Sequence, residues 1–342
     1  MPAKVRDPRW DNIKFFLIYL VILGHIMETF CDFSGFARST FIFIYTFHMP
    51  AFLFISGLFG KHTIENDHYN AKKLLPYLLV CFFLNFYRAF SLWVLNPDHI
   101  FHFDDQDNIS WFLMALFACY TIAWVLRKWN PRYVLTFAVL IALIAGYDTH
   151  IDETFAISRI LTFFPFFYAG YLTDRRKLEE FLDRRSTKTW SAVLLALYFV
   201  LCIVLCRYFY AFRPLATGQN SYDELPLGMQ PYSFLFRAVY YCGSFLMMMC
   251  FFSLMPKGHL RGISTYGQRT LAVYFWHLPL VTWVCRTNFI QQCGHHLWFV
   301  ILFPLVYGAI LLLLFSQKPF SVPLSKMMRP DSWRTRKTVP RH

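Results

Sequence analysis

Ten stretches of this chain are apolar over a length suited to crossing a bilayer: about 13–30, 39–60, 72–96, 109–127, 132–146, 155–173, 190–211, 234–255, 267–286 and 296–316. A hydrocarbon core of about 30 Å needs roughly 20 apolar residues in a helix. The pattern therefore predicts an all-α, polytopic membrane helical bundle with about ten transmembrane helices. The fifth stretch is short and the third long, which leaves room for tilt or a broken end. Composition agrees, with 15% charged residues against about 25% in an average globular protein. No small-residue cleavage pattern follows the first run, so it is read as a retained span and not a signal peptide. Residues 1–317 form the expected transmembrane domain and 318–342 a basic cytoplasmic tail.

A net charge of +13 raises the question of nucleic acid, and the placement of the charge answers it. Of the 33 Lys and Arg residues, all but Arg38, Arg88, Arg159, Arg207, Arg213, Arg237 and Arg286 fall at the termini or in alternate connections. That bias places both termini in the cytoplasm. The positive charge is then topology signal and attraction to anionic lipid, and no nucleic-acid partner is expected. The opposite face carries Asp98, His99, His102, Asp104, Asp105 and Asp107 in one loop, and Asp148, His150, Asp152 and Glu153 in another. Without fixed ligand spacing these read as solvated loop charge, and no metal site is predicted. The nine cysteines lie mostly inside apolar runs with no CxxC spacing, which makes them packing residues. A disulfide among Cys31, Cys285 and Cys293 is conceivable near the span ends.

Polar residues inside the runs carry the chemistry. Lys14 and His25 are 11 residues apart, roughly three turns, so they share a helix face with a rise of about 16 Å between them. Asp11 lies on nearly the same stripe. His25 then sits near the midplane, where an ionisable group defaults to a functional reading, with a structural histidine as the alternative. His48 and His277 sit at similar depth on two other helices, each two residues before a proline, Pro50 and Pro279. A bland account of His48 is that it caps the carbonyl freed by Pro50. Ser56 and Gly57 invite close approach of another helix. Lys72 and Lys73 open the third span as phosphate contacts or topology signals. Arg88 lies halfway or further through that span and needs a partner. Trp111 can serve an aromatic belt, and Arg159, one turn inside the sixth span, can snorkel to outer water.

Taken in order, these segments resemble the acyltransferase-3 family of integral-membrane O-acyltransferases. Lys14 to His25 is similar to the family's Arg/Lys-x10-His motif. FHMPAFLFISGLF at 47–59, KKLLPY at 72–77, WFLMAL at 111–116, FPFFYAGY at 164–171 and GQRTLAVYFWHLP at 267–279 follow in the family's order. The match runs over about residues 8 to 316. The chain departs from the family where many members carry an Arg-x-x-Arg pair: here Asn70 precedes Lys73.

The resemblance implies transfer of an acetyl or other short acyl group from cytoplasmic acyl-CoA, most simply acetyl-CoA, to a hydroxyl of a cell-surface glycan or its lipid-linked precursor. It implies a multi-pass protein of the plasma membrane. The sequence carries no appended hydrolase-like domain, which favours a lipid-linked or polymeric sugar over peptidoglycan. His25 would be the catalytic histidine, acting as general base or as acyl carrier. Lys14 would be its basic partner, expected to hold CoA phosphates together with Lys72 or Lys73. His48, Trp111, Arg159 and His277 are the candidate substrate-binding residues. A transporter or flippase for a glycan-related substrate is the competing class, since it too would place polar groups at the midplane.

Overall fold

A computed structural model describes residues 7–95, 110–151, 154–218 and 221–329 of the 342-residue chain. Every regular element among them is helical. Helices α1 (Pro8–Thr29) and α2 (Gly35–Leu58) are followed by a single turn, α3 (Lys61–Ile64), and then by α4 (Ala71–Leu95), α5 (Trp111–Val125), α6 (Pro131–Ile144) and α7 (Ile157–Leu172). The short α8 (Arg175–Leu182) leads into α9 (Arg185–Val204), with α10 (Cys206–Ala211) and α11 (Arg213–Thr217) after it. The chain continues through α12 (Ser233–Leu254), α13 (Ile263–Tyr266), α14 (Thr270–Cys285), α15 (Asn288–Cys293), α16 (Leu297–Phe315) and α17 (Lys318–Met327).

Each of the ten expected stretches contains a helix, and seven of these are long and apolar enough to cross a membrane. The other three are shorter for local reasons. Pro131 sets the start of α6, with Asn130 as its N-cap, and Ala145–Tyr147 tightens its end into a 3₁₀ turn. Phe155 and Ala156, at φ 51° and 59°, break the helical path just before α7. In front of α14, Gly267 and Arg269 still close the turn of α13. The seventh stretch, read as one span, breaks at Leu205 between α9 and α10. At the C-terminal end, α17 packs Phe320 against Trp276 and Phe315, with ring centroids 6.0 and 5.1 Å apart. Residues 330–342 of the basic tail, and the loop residues Asp98, His99, His102, Asp104, Asp105, Asp107, Asp152 and Glu153, lie outside the described residues. His150 stands in solvent 3.1 Å from Asp148, and the described cysteines are all free thiols.

Helix α2 is the hub, packed on by α1, α7, α9 and α12. Its crossing with α7 brings backbone onto backbone. A methyl group added at Gly57 would overlap the Phe167 carbonyl, and one at Gly170 would overlap the Phe54 carbonyl. The small residue at 57 therefore does what its type suggested, and Gly170 is its counterpart on the facing helix. Fully buried Phe54 and Phe167 fill the space beside the crossing. Pro50 cannot donate to the Thr46 carbonyl, and the Tyr240 hydroxyl takes that place, donating to Tyr45 O at 3.0 Å and Thr46 O at 3.2 Å. His48 thus does not cap the carbonyl freed by Pro50, because a tyrosine from α12 already does.

The start of α1 is clamped from two sides. Asn12 is fully buried: its amide donates to Pro256 O (2.9 Å) and Gly258 O (3.0 Å) and accepts from Ser264 Oγ (2.7 Å). On the other side Trp10 Nε1 donates to Glu179 (2.7 Å), and Arg175 bridges Glu179 and Asp7. Arg9, only 1% exposed, pairs with Asp183, which also holds Lys257. Partial burial works against the charge on Asp183, but Lys257 and Arg9 prevail and hold its carboxyl below the usual range. A lowered folded-state pKa contributes stability above the unfolded value, about 3.9, and that stability is lost as pH falls through the folded value. Wild type is therefore expected to melt above an Asp183→Asn variant at about pH 7, with the gap narrowing once pH falls below about 4. A gap in melting temperature that stays constant across that range would show that Asp183 is not the group responsible.

Candidate active site

One cavity of about 650 Å³ runs alongside α1, touching Lys14, Ile18, Val21, His25 and Glu28. These positions are spaced three or four residues apart, so a single helical stripe forms the wall. The stripe from Lys14 to Glu28 rises about 21 Å. Helix α2 contributes Tyr45, His48 and Ser56, α5 contributes Trp111, and α7 contributes Arg159. The shared face predicted for Lys14 and His25 is therefore the lining of an internal space.

His25 reaches into this space with its side chain 23% exposed, and its Nδ1 lies 3.8 Å from Glu28 Oε2. That is an ion-pair distance for a protonated imidazole and too long for a hydrogen bond. Gly24 lets α2 come close here: a Cβ at this position would stand 2.8 Å from the Tyr45 ring. The Tyr45 ring in turn meets His48 edge-on at 4.7 Å. His48 is buried, with Nδ1 2.8 Å from the Ile44 carbonyl. A carbonyl only accepts, so Nδ1 carries the proton and Nε2 remains an acceptor. His277 repeats the arrangement on α14, with Nδ1 2.8 Å from Val273 O and 3.1 Å from Tyr274 O. Its ring is 5.6 Å from that of His25 and fully buried, behind His25 and outside the cavity lining. The three histidines thus converge, but only His25 and His48 face the space.

Lys14 Nζ lies 2.8 Å from Asp11 Oδ1, so the stripe opens on an ion pair whose carboxylate is buried and whose ammonium is partly exposed. Trp111 stacks on Phe163 at 5.6 Å and carries the Arg159 guanidinium 4.9 Å above its ring. Arg159 is 6% exposed, which replaces the snorkelling expected of it with a buried place in the cavity wall. Lys72 and Lys73 are exposed and lie outside the lining, and Lys73 donates to Thr63 Oγ1 at 2.5 Å.

Among the residues that the sequence reading did not place in the site are Glu28, Tyr45, Arg88, Arg213 and Arg286. Glu28 was within reach: it stands three residues after His25, the spacing that brings side chains together on a helix. Arg213 and Arg286 registered only as exceptions to the charge bias. Among the described residues no three of His, Cys, Asp and Glu gather as metal ligands.

The family model described as an acyltransferase domain matches residues 7–315. Among curated proteins, the nodulation protein NolL of Sinorhizobium fredii is 27% identical over 187 residues, which cover 50% of this chain and 49% of that protein. The chain thus spans about half the length of that relative. No solved structure matches.

Proposed function

Because this chain belongs to the acyltransferase-3 family and is a multi-pass membrane acyltransferase, we propose that it moves an acetyl or short acyl group from acyl-CoA to a hydroxyl of a cell-surface glycan or its lipid-linked precursor. The observation that carries this reading is that one cavity joins Lys14 to His25, with Glu28 beside the imidazole. Both termini then face the cytoplasm of a plasma-membrane protein with about ten spans, acyl-CoA approaches the Lys14 end, and the acceptor meets His25 from the Glu28 end.

Nδ1 of His25 is turned to Glu28, which leaves Nε2 for the acceptor. The acceptor oxygen attacks the thioester carbonyl carbon while its proton passes to Nε2. Glu28 stabilises the imidazolium that forms, and the positive charge lining the cavity favours the tetrahedral oxyanion. Collapse breaks the carbon–sulfur bond, and the CoA thiolate takes the proton back from the imidazolium. The products are an ester and free CoA.

The test is purified protein in nanodiscs with acetyl-CoA labelled in the acetyl group and the host's surface glycan as acceptor. Label in the glycan as a base-labile ester is expected. Uptake of glycan by the same protein reconstituted in sealed liposomes, with no CoA released, would favour the transporter class instead. In the same assay Lys14→Gln, which keeps a hydrogen-bond donor for Asp11, is expected to raise the KM for acetyl-CoA about tenfold with little change in kcat. An unchanged KM would remove Lys14 from the donor site.

A further inference from the structure

We infer that the acceptor enters this site carrying an anionic group, a phosphate or a carboxylate, which is held by arginines at the Glu28 end of the cavity; this rests on the acyl-transfer reading above. Arg88, Arg159, Arg213 and Arg286 all line that cavity, and among the described residues Glu28 is the carboxylate that lines it with them. The four come from different parts of the chain: the second half of α4, the start of α7, the start of α11 and the C-cap of α14. In the proposed topology each of these places is at the end opposite Lys14. Arg159 and Arg213 lie close enough to act on the charge of Glu28. Arg213 also donates to the Tyr210 hydroxyl at 3.1 Å, which orients its guanidinium.

Snorkelling does not account for Arg159, which is buried in the cavity wall. Arg237 is the contrast in position: it donates to Ala142 O (3.2 Å) and Thr162 Oγ1 (3.0 Å), lies over the Tyr222 ring, and lines no part of the cavity. Guanidinium groups lining one cavity match the planar, multiply accepting oxygens of phosphate and carboxylate. Glu28 is one turn beyond His25, so an anion held among these arginines leaves a neighbouring hydroxyl of the same molecule at the imidazole. A sugar phosphate linked to a lipid and an acidic sugar of a polymer both supply that chemistry.

Calorimetric titration of the full chain in nanodiscs, with coenzyme A at saturation to fill the donor end, tests this. Inorganic pyrophosphate is expected to bind, and Arg286→Gln or Arg213→Gln should each weaken it about tenfold, the loss of one charge-assisted contact. Arg286 is exposed at a helix end, so that variant keeps the fold even if the Arg213 variant does not. Methyl glucuronide and a polyprenyl phosphate in the nanodisc, each as a competitor, separate the carboxylate source from the lipid one. No binding by any of these probes, or binding that both arginine variants leave unchanged, overturns the inference. Glycan labelling in the same preparation is read separately: labelling without anion binding defeats the anionic acceptor alone, and anion binding without labelling defeats the acyl-transfer reading.

Discussion

Replacing His25 by alanine is expected to lower acyl transfer by about 10²–10⁴-fold, the range that general base catalysis supplies. In this site His25 is the cavity-lining histidine that has a carboxylate beside it. His48 and His277 commit Nδ1 to backbone carbonyls, which locks their rings, whereas His25 keeps its Nδ1 toward Glu28. The His25 side chain is partly open to the cavity, so truncation leaves space and breaks no buried network. The variant should therefore accumulate in the membrane and still bind acetyl-CoA, with the loss confined to kcat. Transfer at the wild-type rate would sink the assignment of His25 as base. Transfer lost together with acetyl-CoA binding would mean that the residue shapes the donor site instead.

The second large effect concerns the fold. Gly170→Leu is expected to prevent accumulation of folded protein, because its Cβ alone would overlap the Phe54 carbonyl. A clash with backbone cannot be relieved by a rotamer change. The α2–α7 pair would have to separate along its length and give up the packing of buried Phe54 and Phe167. Overpacking in a tight core costs on the order of 3 kcal/mol, and a backbone clash belongs at the upper end of that range. Detergent-solubilised yield and melting temperature are the measurements. Gly170→Leu with wild-type yield and melting would show that the two helices do not cross at Gly57 and Gly170. Position 243 serves as a control: a Cβ added at Gly243 on α12 meets nothing within 4 Å, so Gly243→Ala should be tolerated.

The helices and the Lys14–His25 stripe were legible because both follow from spacing. Apolar length marks a span, and a separation of 11 residues marks a shared face whatever surrounds it. The close approach at Gly57 could be read in the same way, from residue type. What the sequence withheld depends on contacts far apart in the chain. Arg286 and Arg213 meet the same cavity although 73 residues separate their numbers, and nothing local to either announces it. Trp111 and Arg159 each had an adequate private explanation at an interface, and only the packing of α5 on α7 puts one over the other. Asn12, just ahead of the first apolar stretch, drew no reading, yet its amide is spent on the segment from Pro256 to Ser264. Lys72 and Lys73, read as phosphate contacts or topology signals, stand outside the cavity lining in the described structure.

The length of the cavity has a consequence for the membrane itself. A cavity lined along about 21 Å of α1 leaves only about 10 Å of a hydrocarbon core of about 30 Å to be sealed by packed side chains. Such a thin partition is a hazard in a bilayer that stores ion gradients. Fixed positive charge in a low-dielectric pore raises the energy of a passing proton or sodium ion, as arginine does in water-selective channels. The arginines at the Glu28 end are placed to supply that barrier. The same charges that would draw in an anion would then also oppose cation leakage through the cavity.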